Sequence, residues 1–170
     1  ATVDCAAGSF ALRRGMYFCV PGAFSVAGGR GLVVTKEEQR GLMAFGGPIE
    51  NTGSLRYIDG CSDTLLISPP RLGDACLNLL ILPPHTRQRM HDHPSVRVGI
   101  VVDGRGRCVT PDKTTSLSPG MVFSIPAGSR HCFQTDDATM RVIAYHPDSD
   151  FGPQDDDHPM RNRTEHLATD

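Results

Sequence analysis

The chain has 170 residues, a formal net charge of −2 and 21% charged residues, a length that suits one domain with a full core. That balance argues against a disordered chain and leaves no field to hold nucleic acid or an anionic membrane. No apolar run reaches the ~20 residues of a spanning helix and no signal-peptide pattern opens the chain, so a cytoplasmic protein is expected.

Six cysteines without C-x-x-C spacing are too sparse for a disulfide scaffold, and they read as reduced, small hydrophobes. Residues 1–15, with Arg13-Arg14, show no period and read as an arm. From residue 16, short apolar runs at 17–20, 31–34, 42–45, 55–58 and 64–68 are separated by Pro21-Gly22, Gly28-Gly29, Gly46-Gly47-Pro48 and Pro69-Pro70. Each separator breaks a helix, and short strands spaced by turns predict an all-β sandwich or barrel. Residues 35–40 read equally as a helical turn or a polar loop. The continuous apolar run 76–82 predicts a strand buried on both faces.

Strands are then expected at 88–93, 97–103, 107–110, 114–117, 121–125, 131–135 and 140–146. Gly104-Arg105-Gly106 forms a tight turn between two of them, and Pro111-Asp112-Lys113 a hairpin. After Pro147 the composition turns acidic and polar, which predicts a tail over 148–170 lying on the barrel or on a neighbouring subunit. No internal repeat is present. One domain over 1–170 is expected, with N-terminal strands and arm in 1–70, the barrel in 71–147 and the tail in 148–170.

Side chains alternate along a strand, so His91 and His93 share a face. If that face is the interior, two imidazoles converge there, and the Pro126-Ala127-Gly128 turn aims His131 at them. Three neutral imidazoles suit a divalent first-row metal and leave coordination positions open for chemistry. His91-Asp92-His93 with Gly104, followed by Gly120, Pro126, Gly128 and His131, resembles the paired motifs of the cupin superfamily. The resemblance covers about 76–147. It implies a cupin fold (a double-stranded β-helix or jelly-roll barrel) with an N-terminal strand extension, a metal held by His91, His93 and His131, and a homodimer. His85 stands at the family's leading Gly, Arg97 at its metal-binding Glu and Thr135 at a frequent Asn. The competing expectation is a cupin that has lost its metal.

A guanidinium cannot ligate a cation, so Arg97 leaves the metal's charge uncompensated and favours an anionic partner, a carboxylate held by its planar fork. Alternation puts Arg89 on the face of His91 as a second substrate anchor. Gly99 follows Arg97 inward and is expected to leave room for substrate. Tyr145 and His146 point to opposite faces; Tyr145 is the expected donor of a hydrogen bond or proton in the cavity. His85 is expected to be peripheral, and Cys132 to face away.

Asn78-Leu79-Leu80-Ile81-Leu82 before the H-x-H, with Tyr145-His146-Pro147 at the end, is similar to thiol dioxygenases. That similarity implies an Fe(II) dioxygenase of a small carboxylate substrate with O2, and Arg56 is the counterpart it offers for an upstream carboxylate-holding arginine. Mn(II), Ni(II), Cu(II) and Zn(II) are the alternative metals. A non-redox lyase or isomerase and a non-catalytic small-molecule binder are the alternative functions, since one barrel hosts many chemistries.

Overall fold

The computed structural model describes residues 1–39, 41–71 and 73–148. Two antiparallel sheets form the barrel. The larger is built from β6 (Leu55–Arg56), β7 (Ser62–Ile67), β8 (Cys76–Leu82), β9 (Arg97–Gly104), β12 (Val122–Ile125) and β14 (Met140–His146), in the order β12-β9-β14-β8-β7-β6. The smaller has the order β11-β10-β13, from β10 (Gly106–Val109), β11 (Thr114–Leu117) and β13 (Cys132–Gln134). No α-helix occurs among the described residues, in line with the turn residues that interrupt every apolar run.

The inner faces of both sheets meet in one core of Cys61, Leu82, Val101, Leu117, Ile125, Phe133, Met140 and Val142. Alternation carries this core along each strand. Val101, Gly99 and Arg97 are buried on β9 while Val98 and Ile100 between them are not, and Met140 and Val142 set the inward phase of β14. Leu79 and Ile81, which alternate with inward Asn78, Leu80 and Leu82, are buried on the opposite side, so β8 is covered on both faces as its apolar run, interrupted by Asn78, predicts.

The N-terminal region is more ordered than an arm. β1 (Thr2–Cys5) pairs with β2 (Gly8–Ala11) and β4 (Phe24–Ala27), and β3 (Tyr17–Cys19) pairs with β5 (Ala44–Gly46). Val3 is fully buried, and Phe10 stacks on Phe45 at 4.2 Å. No strand forms at 31–34, and 35–39 contains a turn without a helix. All six cysteines are free thiols. The predicted tail, apart from Asp148, lies outside the described residues.

The expected strand 88–93 is not regular. Only isolated bridges form there, Arg87 with Gln134 and His91 with His131. The segment still runs antiparallel to β13, held by bonds from Gln88 N–H to Phe133 O (3.2 Å) and Thr135 N–H to Thr86 O (3.1 Å). Thr135, fully buried, is part of this seam. Its Oγ1 accepts from Thr86 N–H at 3.0 Å and donates to Pro83 O. Thr135→Val keeps the shape but orphans the Thr86 amide, so it is expected to cost about 1–3 kcal/mol, read as a lower urea midpoint at unchanged slope.

Candidate metal centre

Three imidazoles meet at the mouth of the barrel. The ligating nitrogens of His91, His93 and His131 all lie within 4.8 Å of one another, with ring centroids 4.6–5.2 Å apart. Backbone pairing sets the arrangement. His91 and His131 exchange N–H···O bonds of 2.9 and 2.8 Å, and Gly128 N–H binds His93 O at 2.8 Å, which ties the Pro126–Gly128 turn to the H-x-H segment. Gly128, at φ 69°, supplies the left-handed conformation that this turn needs.

The rings are oriented as well as gathered. His91 Nδ1 lies 2.8 Å from Arg89 O, and His131 Nδ1 lies 2.9 Å from Ser129 O. A carbonyl only accepts, so each Nδ1 carries the proton and each Nε2 keeps its lone pair for a cation. Burial first, then the positive charge of Arg97, pushes His93 down to about 2; burial also pushes His131 down to about 4. Both rings are therefore neutral at pH 7, the form that ligates. This donor set of three imidazole nitrogens fits a divalent first-row ion with coordination positions left over.

Arg97 is 5% exposed and points inward beside the imidazoles, where its charge acts on His93, His131 and His146. Its Nη1 donates to Ser95 O, Ser95 Oγ and Val96 O, while its buried Nε has no acceptor among the described residues. No carboxylate lies within ion-pair distance of it among those residues. The Asp148 carboxylate acts on the guanidinium through space without forming an ion pair. The charge is thus buried with no carboxylate in direct contact among the described residues, an arrangement that a bound anion would favour.

Other expected site residues lie elsewhere. Arg89 carries a largely exposed side chain, ion-paired with Asp59 at 3.1 Å, because 88–93 is not a regular strand and alternation does not govern it. Arg56 is exposed on β6. Gly99 leaves no open volume, since an added Cβ would collide with the Phe123 ring and lie 2.7 Å from Ile143 O. The missing side chain makes way for Phe123. Tyr145 pairs with Leu77 and Val98 and lines an apolar groove of about 990 Å³ on the outer face of the large sheet, away from the three histidines. His85 sits in an exposed loop at φ 63°, the left-handed region that a glycine at this motif position would occupy freely.

His146 takes the inward place on β14, opposite Cys76, and burial pushes it down to about 3. Around it the interior is polar. Tyr57 packs against the core, with its phenol pushed up by burial and then by the charge of Asp63, and lowered by that of Arg97. Asp63, 4% exposed, accepts from Asn78 Nδ2 at 3.0 Å, and burial pushes its carboxyl up to about 6. A raised carboxyl favours the fold in its neutral form. That stabilisation is complete below about pH 4 and lost as pH rises through about 6. Asp63→Asn is therefore expected to gain about 1–3 kcal/mol at pH 7 and to flatten the stability profile between pH 4 and 6, measured by urea titration at each pH. Neither Tyr57 nor Asp63 stands in a motif; only the phase of the short β6–β7 hairpin places them inside.

Residues 78–146, which contain all three histidines and Arg97, match the model of the cupin domain. A cupin-like protein from Thermotoga maritima superposes with a TM-score of 0.55 at 21% identity, over 62% of this chain and 84% of that one, a likeness of fold. The polyketide cyclase RemF from Streptomyces resistomycificus gives a TM-score of 0.48 at 24% identity, over 58% and 70%. A structure described under DMSP lyases gives 0.47 at 17%, over 52% and 48%. No curated protein sequence matches the chain significantly. No helix among the described residues is long and apolar enough to cross a membrane.

Proposed function

Because the chain belongs to the cupin superfamily and sets a buried guanidinium beside its three inward imidazoles, we propose that it is a mononuclear metal-dependent enzyme for a small carboxylate substrate. Fe(II) is the proposed ion and O2 the co-substrate. The observation that carries this reading is the pairing of a three-imidazole site with Arg97, whose Nε has no acceptor among the described residues. A glutamate at position 97 would neutralise one charge of the cation; an arginine adds one, and an anionic substrate restores the balance.

When bound, the ion supplies Lewis acidity and redox chemistry toward O2. The chain's own groups do the rest. His91 and His131 keep their Nε2 atoms aimed through the carbonyls of Arg89 and Ser129. Arg97 takes the substrate carboxylate and fixes its distance from the ion. Tyr57, next to Arg97, holds a protonated phenol ready to donate. The role first expected of Tyr145 passes to this residue.

A second reading, a non-redox lyase or isomerase, is favoured by Asp63. A buried carboxyl near 6 suits a general base working at neutral pH. The deciding experiment measures metal content of untagged protein, then turnover of small carboxylates in air and under argon. Oxygen consumption with iron alone supports the dioxygenase. Anaerobic turnover with Zn(II) or Mn(II) moves the assignment to the second reading, and metal binding without product leaves a binding protein.

A further inference from the structure

The turn Ile58–Gly60 is the strained part of the β6–β7 hairpin. Asp59 within it has φ 54° and ψ 37°, a left-handed conformation that an aspartate adopts at some cost. Bonds from Tyr57 N–H to Cys61 O (2.9 Å) and from Cys61 N–H to Ile58 O (3.1 Å) hold the turn in place. The conformation turns the Asp59 carboxylate toward the segment that carries the first metal ligand. Oδ2 accepts from the Arg89 backbone N–H at 2.7 Å, and Oδ1 accepts from Arg89 Nε at 3.1 Å. The carbonyl of the same residue, Arg89, accepts the proton of His91 Nδ1 at 2.8 Å.

We propose that Asp59 is a positioning residue for the metal centre, acting on His91 through the backbone of Arg89. The inference rests on the metal reading above. Segment 86–93 has only isolated bridges to hold it, so residue 89 lacks the ladder bonds that fix a strand. Asp59 substitutes for that ladder at one amide. The bond to the N–H of residue 89 fixes the peptide plane that enters that residue, and the His91 N–H bond to His131 O anchors the chain beyond it. Together they narrow the φ and ψ that aim the Arg89 C=O, and this selects the His91 tautomer with Nε2 bare. The side-chain ion pair contributes little, because the Arg89 side chain is 77% exposed. The backbone bond is the working part. The same turn holds the inward Tyr57 and the outward Asp59 two residues apart, so it joins the phenol beside Arg97 to the support of a metal ligand.

The test uses the full chain, stripped of metal and titrated with Zn(II) against a chromophoric chelator. Asp59→Ala and Asp59→Gly are expected to weaken Zn(II) binding by about 10–100-fold, the usual effect of losing a group that orients a ligand. Glycine removes the backbone strain, so an Asp59→Gly variant that binds like the native protein would overturn the proposal. Asp59→Asn keeps an acceptor for the Arg89 amide and is expected to stay within about threefold, as is Arg89→Ala, which keeps the backbone. An Asp59→Asn loss equal to that of alanine would overturn it too, by making charge rather than positioning the cause. A metal-free readout separates the two readings. In ¹⁵N-imidazole spectra of the apo protein, His91 should hold the Nδ1–H tautomer in native and Asp59→Asn chains and drift toward Nε2–H in Asp59→Gly. Native protein that takes up no Zn(II) sinks the metal reading itself; native uptake with an unmoved Asp59→Gly affinity sinks this inference alone.

Discussion

Replacing His131 by alanine is expected to abolish stoichiometric metal uptake, lowering affinity by more than about 100-fold, beyond what losing an orienting group costs. His131 is the most deeply buried of the three ligands, at 1% exposure, and its backbone bonds to His91 do not depend on its side chain. The seam therefore survives the substitution while the donor disappears. Folding stability of the apo chain should fall by no more than about 2–4 kcal/mol, the usual cost of truncating a packed side chain. Elemental analysis of His131→Ala, with its apo melting curve beside it, checks both parts. Equal metal content in the variant would show that the ion taken up is held without His131.

Arg97→Met is expected to act in opposite directions on stability and on binding. The guanidinium is buried, and Nε meets no acceptor among the described residues, so an apolar side chain of similar length should raise apo stability by about 1–4 kcal/mol. Metal uptake should be retained, because Arg97 is not a ligand. Binding of small carboxylates to the Zn(II)-loaded protein should weaken by about 10–100-fold, the worth of a charge-assisted pair in a buried place. Calorimetric titration with small mono- and dicarboxylates, set against chemical unfolding, separates these effects. Arg97→Lys should recover only part of the affinity, because an ammonium cannot reproduce the fork. A variant that loses stability and keeps carboxylate affinity would assign Arg97 a structural part through Ser95 and Val96.

The sequence was most informative where the chain repeats a regular period between clear stops. The bounds of β8 and β14 agree with the apolar runs that predicted them, because each run is closed by turn residues, and those of β11 agree with the strand expected after the Pro111-Asp112-Lys113 hairpin. The three histidines were legible because two of them sit two residues apart and the third follows a Pro/Gly turn. Arg97 was legible by its place in β9. What failed did so for identifiable reasons. Tyr145 and His146 are neighbours of opposite facing, and only the inward phase of Met140 and Val142 decides between them. Arg89 was assigned inward by alternation in a segment that has no ladder to impose it. Gly99 suggested empty space, but its space belongs to Phe123, a residue on another strand. Runs 17–20 and 42–45 did announce β3 and β5, but β1, β2 and β4 were missed, because contacts between residues far apart in sequence, such as Phe10 with Phe45, hold that region together. Asp59 and Tyr57 lie in a short hairpin whose pairing no local pattern announces.

The reciprocal backbone bonds between His91 and His131 have a consequence for assembly. These residues meet only once the chain between them has folded back on itself, so the complete chelate exists in the closed barrel and not in the open chain. An ion that binds only the closed form adds RT ln(1 + [ion]/Kd) to its stability, about 2.7 kcal/mol at a hundredfold excess over Kd. Metal supply during synthesis would then govern how much of the protein survives proteolysis, quite apart from any turnover.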